Sequence, residues 1–198
     1  PLSKYDSRLP TTLPQDIQQT YDRLQAAESD RFLDVGVTVN LLNATGIGVY
    51  PDLVHAVADE GEHQVVREAL SALEGHILFP SEPDAGADSA RYRTVHESWS
   101  RLFLTRLGDV ESPRAAQQRF GRCVTALLAL ADDTQRRERI HWEFEGEAAY
   151  LSEITIDPGE WADDFVRRLF TLGQDYPSLA PLFGRSEYSA IDLPDACS

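Results

Sequence analysis

SPRAAQQRFGRCVTALLALA, residues 112–131, carries the strongest structural signal in the chain. Ser112 can cap a helix, and Pro113 suits the first helical position, where no backbone donor is missed. Ala116, Phe120, Val124, Leu127, Leu128 and Ala131 then recur at helical spacing and make one continuous apolar face. From Cys123 to Ala131 only Thr125 is polar, so the second half is apolar nearly all round. A helix of that kind is buried against several neighbours, and it is expected at the centre of the core.

The flanks also read as helices. Upstream, residues 90–107 place Tyr92, Val95, Trp99, Phe103 and Leu107 on one side of a helix that Gly108 would stop. Downstream, Asp157, Pro158 and Glu160 form a helix start, followed by inward-facing Trp161, Phe165, Leu169 and Leu172 and a stop at Gly173. Nearer the N-terminus, Thr12 with Gln15 fits a capping box, and Ile17, Tyr21 and Leu24 mark an amphipathic helix to about Ser29. Residues 52–59 make a short helix with a break at Gly61. Residues 62–74 make another, with Val66, Leu70 and Leu73 inward and Gly75 as terminator.

Two stretches read differently. Leu33, Val35, Val37, Val39 and Leu41 alternate with Asp34, Gly36, Thr38 and Asn40, the period and β-branched content of a strand. Ile140, Trp142 and Phe144 alternate with His141, Glu143 and Glu145, which favours a hairpin over residues 140–156, although Ile140, Phe144, Leu151 and Thr155 also fit helical spacing. The predicted fold is therefore mainly α: one domain over residues 1–198, a bundle of about five to seven helices, with at most a small β element near 140–156. Residues 80–89, PSEPDAGADS, have the composition of a flexible loop. Residues 174–198 form an extended segment interrupted by Pro177, Pro181 and Pro194.

At 198 residues with 42% hydrophobic content, the chain can bury a core unaided. No run approaches the roughly 18 apolar residues of a membrane span, and the opening PLSKYDSRLP lacks the apolar core of a signal peptide, so the cytoplasm is the expected compartment. Cys123 and Cys197 are placed too unequally to suggest a structural disulfide. The net charge of −15 disfavours nucleic acid and anionic membrane as partners. Charge is uneven: residues 91–122 hold seven Arg against Glu97, Asp109 and Glu111, whereas residues 132–164 hold eleven acidic residues against Arg136, Arg137 and Arg139.

Motifs with committed chemistry are scarce. No GxSxG elbow, Walker loop, HExxH or CxxC occurs. Gly46-Ile47-Gly48 is half of a dinucleotide loop, with Pro51 at the third glycine position. Glu60-x-x-His63 and Glu138-x-x-His141 repeat a carboxylate–imidazole spacing, with Glu28 and Glu97 in the order of the two further carboxylates; this ordering resembles that of the ferritin-like di-metal carboxylate proteins. The resemblance implies an oxidoreductase with two Fe or Mn ions. Gly61 interrupts the first pair and the strand-like run at His141 the second, so the primary expectation is no metal and no cofactor.

Trp99, Trp142 and Trp161 are read as core anchors rather than a cage, and His96-Glu97 as a weak acid/base pair. Arg167-Arg168 is read as helix-end solvation. The function expected is that of a non-enzymatic interaction or regulatory protein, with a protein partner or a second copy of the chain. An acidic inhibitor covering a basic site, through residues 132–164, is the third reading. The apolar residues of the C-terminal segment, Leu179, Leu182, Phe183, Tyr188, Ile191 and Leu193, are the candidate partner contacts, because an apolar segment unable to form a long helix must be covered by something.

Overall fold

A computed structural model describes residues 12–27, 29–47, 49, 51–58, 61–75, 77–80, 92–94, 96–132 and 158–183. Among them are seven α-helices: α1 (Leu13–Gln25), α2 (Arg31–Ala44), α3 (Pro51–Val54), α4 (His63–Leu73), α5 (Glu97–Val110), α6 (Pro113–Asp132) and α7 (Pro158–Asp175). Two 3-10 turns, His55–Val57 and Pro177–Leu182, complete the helical part. The mainly α class is as the sequence indicates. None of the described helices is long and apolar enough to cross a membrane.

The helix buried on all sides is α2, not α6. Every residue from Leu33 to Leu42 is buried, and α1, α4, α5 and α6 pack around it. This overturns the strand expected at 33–41. Two polar side chains explain how a helix tolerates that position. Thr38 Oγ1 donates to the Asp34 carbonyl at 2.9 Å, and Asn40 Nδ2 donates to the Gly36 carbonyl at 2.8 Å. Each is satisfied by its own helix one turn back, so neither needs a polar face. Gly36 lets α1 approach: a Cβ there would lie 2.5 Å from Leu24 Cδ1.

With α2 at the centre, α6 is amphipathic. Ala116, Phe120, Val124 and Leu127 are buried, whereas Thr125 and Ala129 are exposed and Leu128 is half-buried. The α5 reading also shifts. Tyr92–Thr94 is a short strand, β2, paired antiparallel with Leu78–Pro80, β1, with Phe79 opposite Arg93. The helix begins only at Glu97, where His96 caps it by accepting the Ser98 N–H at 3.2 Å. Gly108 lies inside α5, and Gly173 inside α7. The hairpin expected at 140–156 and the loop at 80–89 lie outside the described residues.

Two further expectations change. The helix expected over 52–59 is α3 followed by the 3-10 turn His55–Val57. Residues 174–182, expected extended, are the end of α7 and the 3-10 turn Pro177–Leu182, which needs only local i to i+3 bonds and so accommodates the prolines. Other local signals hold. Gln15 Oε1 accepts the Thr12 N–H at 3.0 Å, the returning half of the capping box. Gly75 ends α4 with φ +74°, and Gly61 precedes it with φ +87°. Trp99 is a core anchor: it stacks on Phe103 with centroids 5.6 Å apart, and its Nε1 donates to Asp16 at 3.1 Å, fastening α5 to α1.

Candidate functional site

The most concentrated chemistry lies where α2 meets α6. Asp34, in the first turn of α2, is 3% exposed and faces three guanidinium groups. Arg119 NH1 donates to its Oδ1 at 2.6 Å, Arg122 NH2 to the same oxygen at 3.1 Å, and Arg31 NH1 to Oδ2 at 3.5 Å. Arg119 and Arg122 are three residues apart, which puts both on one face of α6. Arg119 reaches further, donating from Nε to Glu111 at 3.0 Å, and Tyr21 donates its hydroxyl to the same carboxylate at 3.4 Å. Arg31 also donates from Nε to Glu62 at 2.7 Å.

Burial alone would lower the Arg119 pKa, but hydrogen bonds and charge from Asp34 and Glu111 more than offset it and hold the guanidinium more firmly charged than usual. Burial, reinforced by Glu111, pushes the Tyr21 phenol up to about 12. Cys123 is fully buried and donates Sγ–H to the Asp34 carbonyl at 3.6 Å. Burial and the Asp34 charge push its thiol up to about 12, so the thiolate is suppressed.

A second titratable pair lies nearby. His55 Nδ1 and His63 Nδ1 are 3.1 Å apart, within hydrogen-bond distance, so one ring donates to the other. Burial, then the charges of His63 and Arg67, push His55 down to about 3. Its ring is neutral throughout the ordinary pH range.

Beside the Asp34 cluster runs a groove of about 800 Å³. One wall is α6, from Gln118 through Gly121, Arg122, Thr125 and Ala126 to Ala129. The other is formed by Ala56 and Val57 of the first 3-10 turn, with Arg31 and Asp34 at the end. Arg122 is the mouth residue, its side chain 53% exposed.

Of the six Glu and His residues in the di-metal reading, only His63 and Glu97 lie among the described residues. His63 opens α4 after the positive-φ Gly61, so no continuous helix carries a Glu60–His63 pair. His63 faces His55, and Glu97 pairs with Arg101 one turn along α5. Among the described residues, no three His, Cys, Asp or Glu side chains converge as a metal site. Glu28, Glu60, Glu138 and His141 lie outside the described residues.

The C-terminal contact set divides. Leu179 and Leu182 are buried by the chain itself, and Phe183 is packed edge-on against Phe120 at 5.1 Å. These three pack against α5, α6 and α7 of the same chain. Tyr188, Ile191 and Leu193 lie outside the described residues. Arg167 and Arg168 both pair with Asp164, and Arg168 NH1 also reaches the Thr45 carbonyl at 3.4 Å.

The Asp34 cluster escaped the sequence reading. Its signal was present: a lone carboxylate inside LDVGVTVNLL must be paired if that run is buried, and RFGRC offers two arginines at helical spacing. No family model matches the chain, and neither curated proteins nor solved structures give a significant match.

Proposed function

We propose that this is a non-enzymatic, cytoplasmic interaction protein that holds a segment of a partner protein in the groove between α6 and the 3-10 turn. The observation that carries the reading is the groove itself: an open concavity of about 800 Å³ walled largely by small side chains, with a half-exposed arginine at its mouth. Its size falls within the range of pre-formed binding sites.

The titratable groups around it support binding over catalysis. Asp34 is saturated by guanidinium groups, Cys123 is held as thiol, and His55 is held neutral and buried. A general acid or base works best with a pKa near the working pH, and neither Cys123 nor His55 meets that condition.

The test is capture on immobilised wild-type protein and on Thr125→Trp, which fills the groove from an exposed position. Each captured protein is then purified and its affinity measured directly. At least one is expected to bind the wild type and to lose tenfold or more on the variant. Partners that bind both alike would overturn the groove as the site.

A further inference from the structure

We infer that the groove takes an acidic α-helical segment of a partner protein, one carboxylate of which docks on Arg122; this deepens the interaction reading above and rests on it. From Gln118 to Ala129 the α6 wall runs about 16 Å at the helical rise of ~1.5 Å per residue, some three turns. Apart from Gln118 and Arg122, its lining side chains are no larger than threonine. Ala56 and Val57 keep the facing wall low as well. Small side chains on both walls let a second helix come to within the close end of helix packing, about 8 Å between axes. An amphipathic helix laid in a groove is the recognition mode that such walls serve.

Charge selects the occupant. Among the described residues, Arg122 makes hydrogen bonds only through NH2, to Asp34 Oδ1 at 3.1 Å and Oδ2 at 3.4 Å. Its Nε and NH1 remain uncommitted at the mouth. Asp34 needs little from it, because Arg119 already lies at 2.6 Å. Arg122 is therefore a cation tethered at one nitrogen and open at the others. A tethered side chain loses less rotamer freedom on binding, and a charged guanidinium N–H donates a strong hydrogen bond to a carboxylate. The one carboxylate lining the groove, Asp34, is buried and spent on three arginines, so a basic helix finds no counter-charge there. Nucleic acid fits less well. It needs several cations along its backbone, whereas the lining offers Arg31 and Arg122.

The experiment is selection of a phage-displayed library of helical peptides on the full chain, followed by anisotropy with the retained peptides in synthetic form. Affinities are measured on wild type, Thr125→Trp, Arg122→Gln and Arg122→Glu, each first checked for native circular dichroism. Ala129→Trp, also at an exposed groove position, replaces Thr125→Trp if that variant does not fold. Retained peptides are expected to share one Asp or Glu with small or apolar residues three and four positions away. They should bind about tenfold more weakly to Thr125→Trp and to Arg122→Gln. Replacing the shared acid by Lys should restore binding to Arg122→Glu, which a merely structural role for Arg122 would not produce. Groove-dependent peptides with no shared acid would overturn this inference and leave the interaction reading standing. Displacement of the peptide by duplex RNA at physiological salt would also overturn it. If no retained peptide depends on the groove, both readings fall.

Discussion

Arg119 and Asp34 are 85 positions apart in sequence, and their side chains meet at 2.6 Å across the α2–α6 contact. The pair is nearly dry, with Asp34 3% and Arg119 12% exposed. A buried ion pair adds little over a well-packed apolar pair, but removing Asp34 takes the shared carboxylate away from three guanidinium groups, which costs about 3 kcal/mol or more. Asp34→Asn is therefore expected to lower urea-unfolding stability by about 3 kcal/mol. Arg122→Gln, at the half-exposed end of the same cluster, should cost under about 1 kcal/mol. Equal losses in the two variants would show that the cluster is wet rather than buried.

One substitution, Gly to Ala, should act with opposite sign in two helices. In an open helical site it stabilises by about 1 kcal/mol. At Gly108 of α5 the new Cβ would lie 3.6 Å from Leu182 Cδ2, an ordinary contact, so Gly108→Ala should stabilise. At Gly36 of α2 it would lie 2.5 Å from Leu24 Cδ1 and 3.4 Å from Phe103 Cζ, both buried. Overpacking of that kind costs about 1–3 kcal/mol, which outweighs the helical gain. Gly36→Ala should melt lower than the wild type by about 3 °C, and Gly108→Ala higher.

These two glycines also show what the sequence could and could not reveal. Helices with one wet face announce themselves, because solvent imposes the 3.6-residue period. Ile17, Tyr21 and Leu24, then Val66, Leu70 and Leu73, and then Phe165, Leu169 and Leu172 were all legible for that reason. In α2 no face meets water, so burial imposes no period. The remaining pattern, Val35, Val37 and Val39 around Gly36 and Thr38, happens to alternate. The polar atoms that would mark a wet face are turned back onto the helix's own carbonyls. The β1–β2 pairing rests on three residues from each strand, too short for a period of two to emerge. The candidate site was illegible for a different reason: Asp34 and Arg119 become neighbours only through the packing of α2 on α6.

Acid should weaken the fold through His55. Its pKa is about 3 in the folded chain against 6.5 as the ordinary value. A depressed folded pKa means that the stabilising form is the neutral one. The contribution is fully present above pH 6.5 and is lost progressively as pH falls from 6.5 towards 3. Each unit within that window costs about 1.4 kcal/mol from this group. Between pH 7 and pH 5, urea-unfolding stability should drop by about 2 kcal/mol, and His55→Gln should abolish most of that drop. A slope unchanged in His55→Gln would assign the acid sensitivity to other groups.

The turn Pro177–Leu182 is expected to behave as core. Gln117 Nε2 donates to the Pro181 carbonyl at 2.8 Å, and Thr105 Oγ1 donates to Ser178 Oγ at 3.3 Å, so α6 and α5 both hold it. Leu182 is 2% exposed, and Phe183 closes over Phe120 and the backbone at Gly173. Truncating a buried leucine removes its transfer energy and leaves a cavity, a loss of about 3 kcal/mol. Leu182→Ala should unfold at lower urea by that amount and keep the wild-type mass in light scattering at every concentration tested. A variant of near-wild-type stability that shifts to a smaller species would instead return this leucine to an interface, and with it the partner-contact role expected from its sequence.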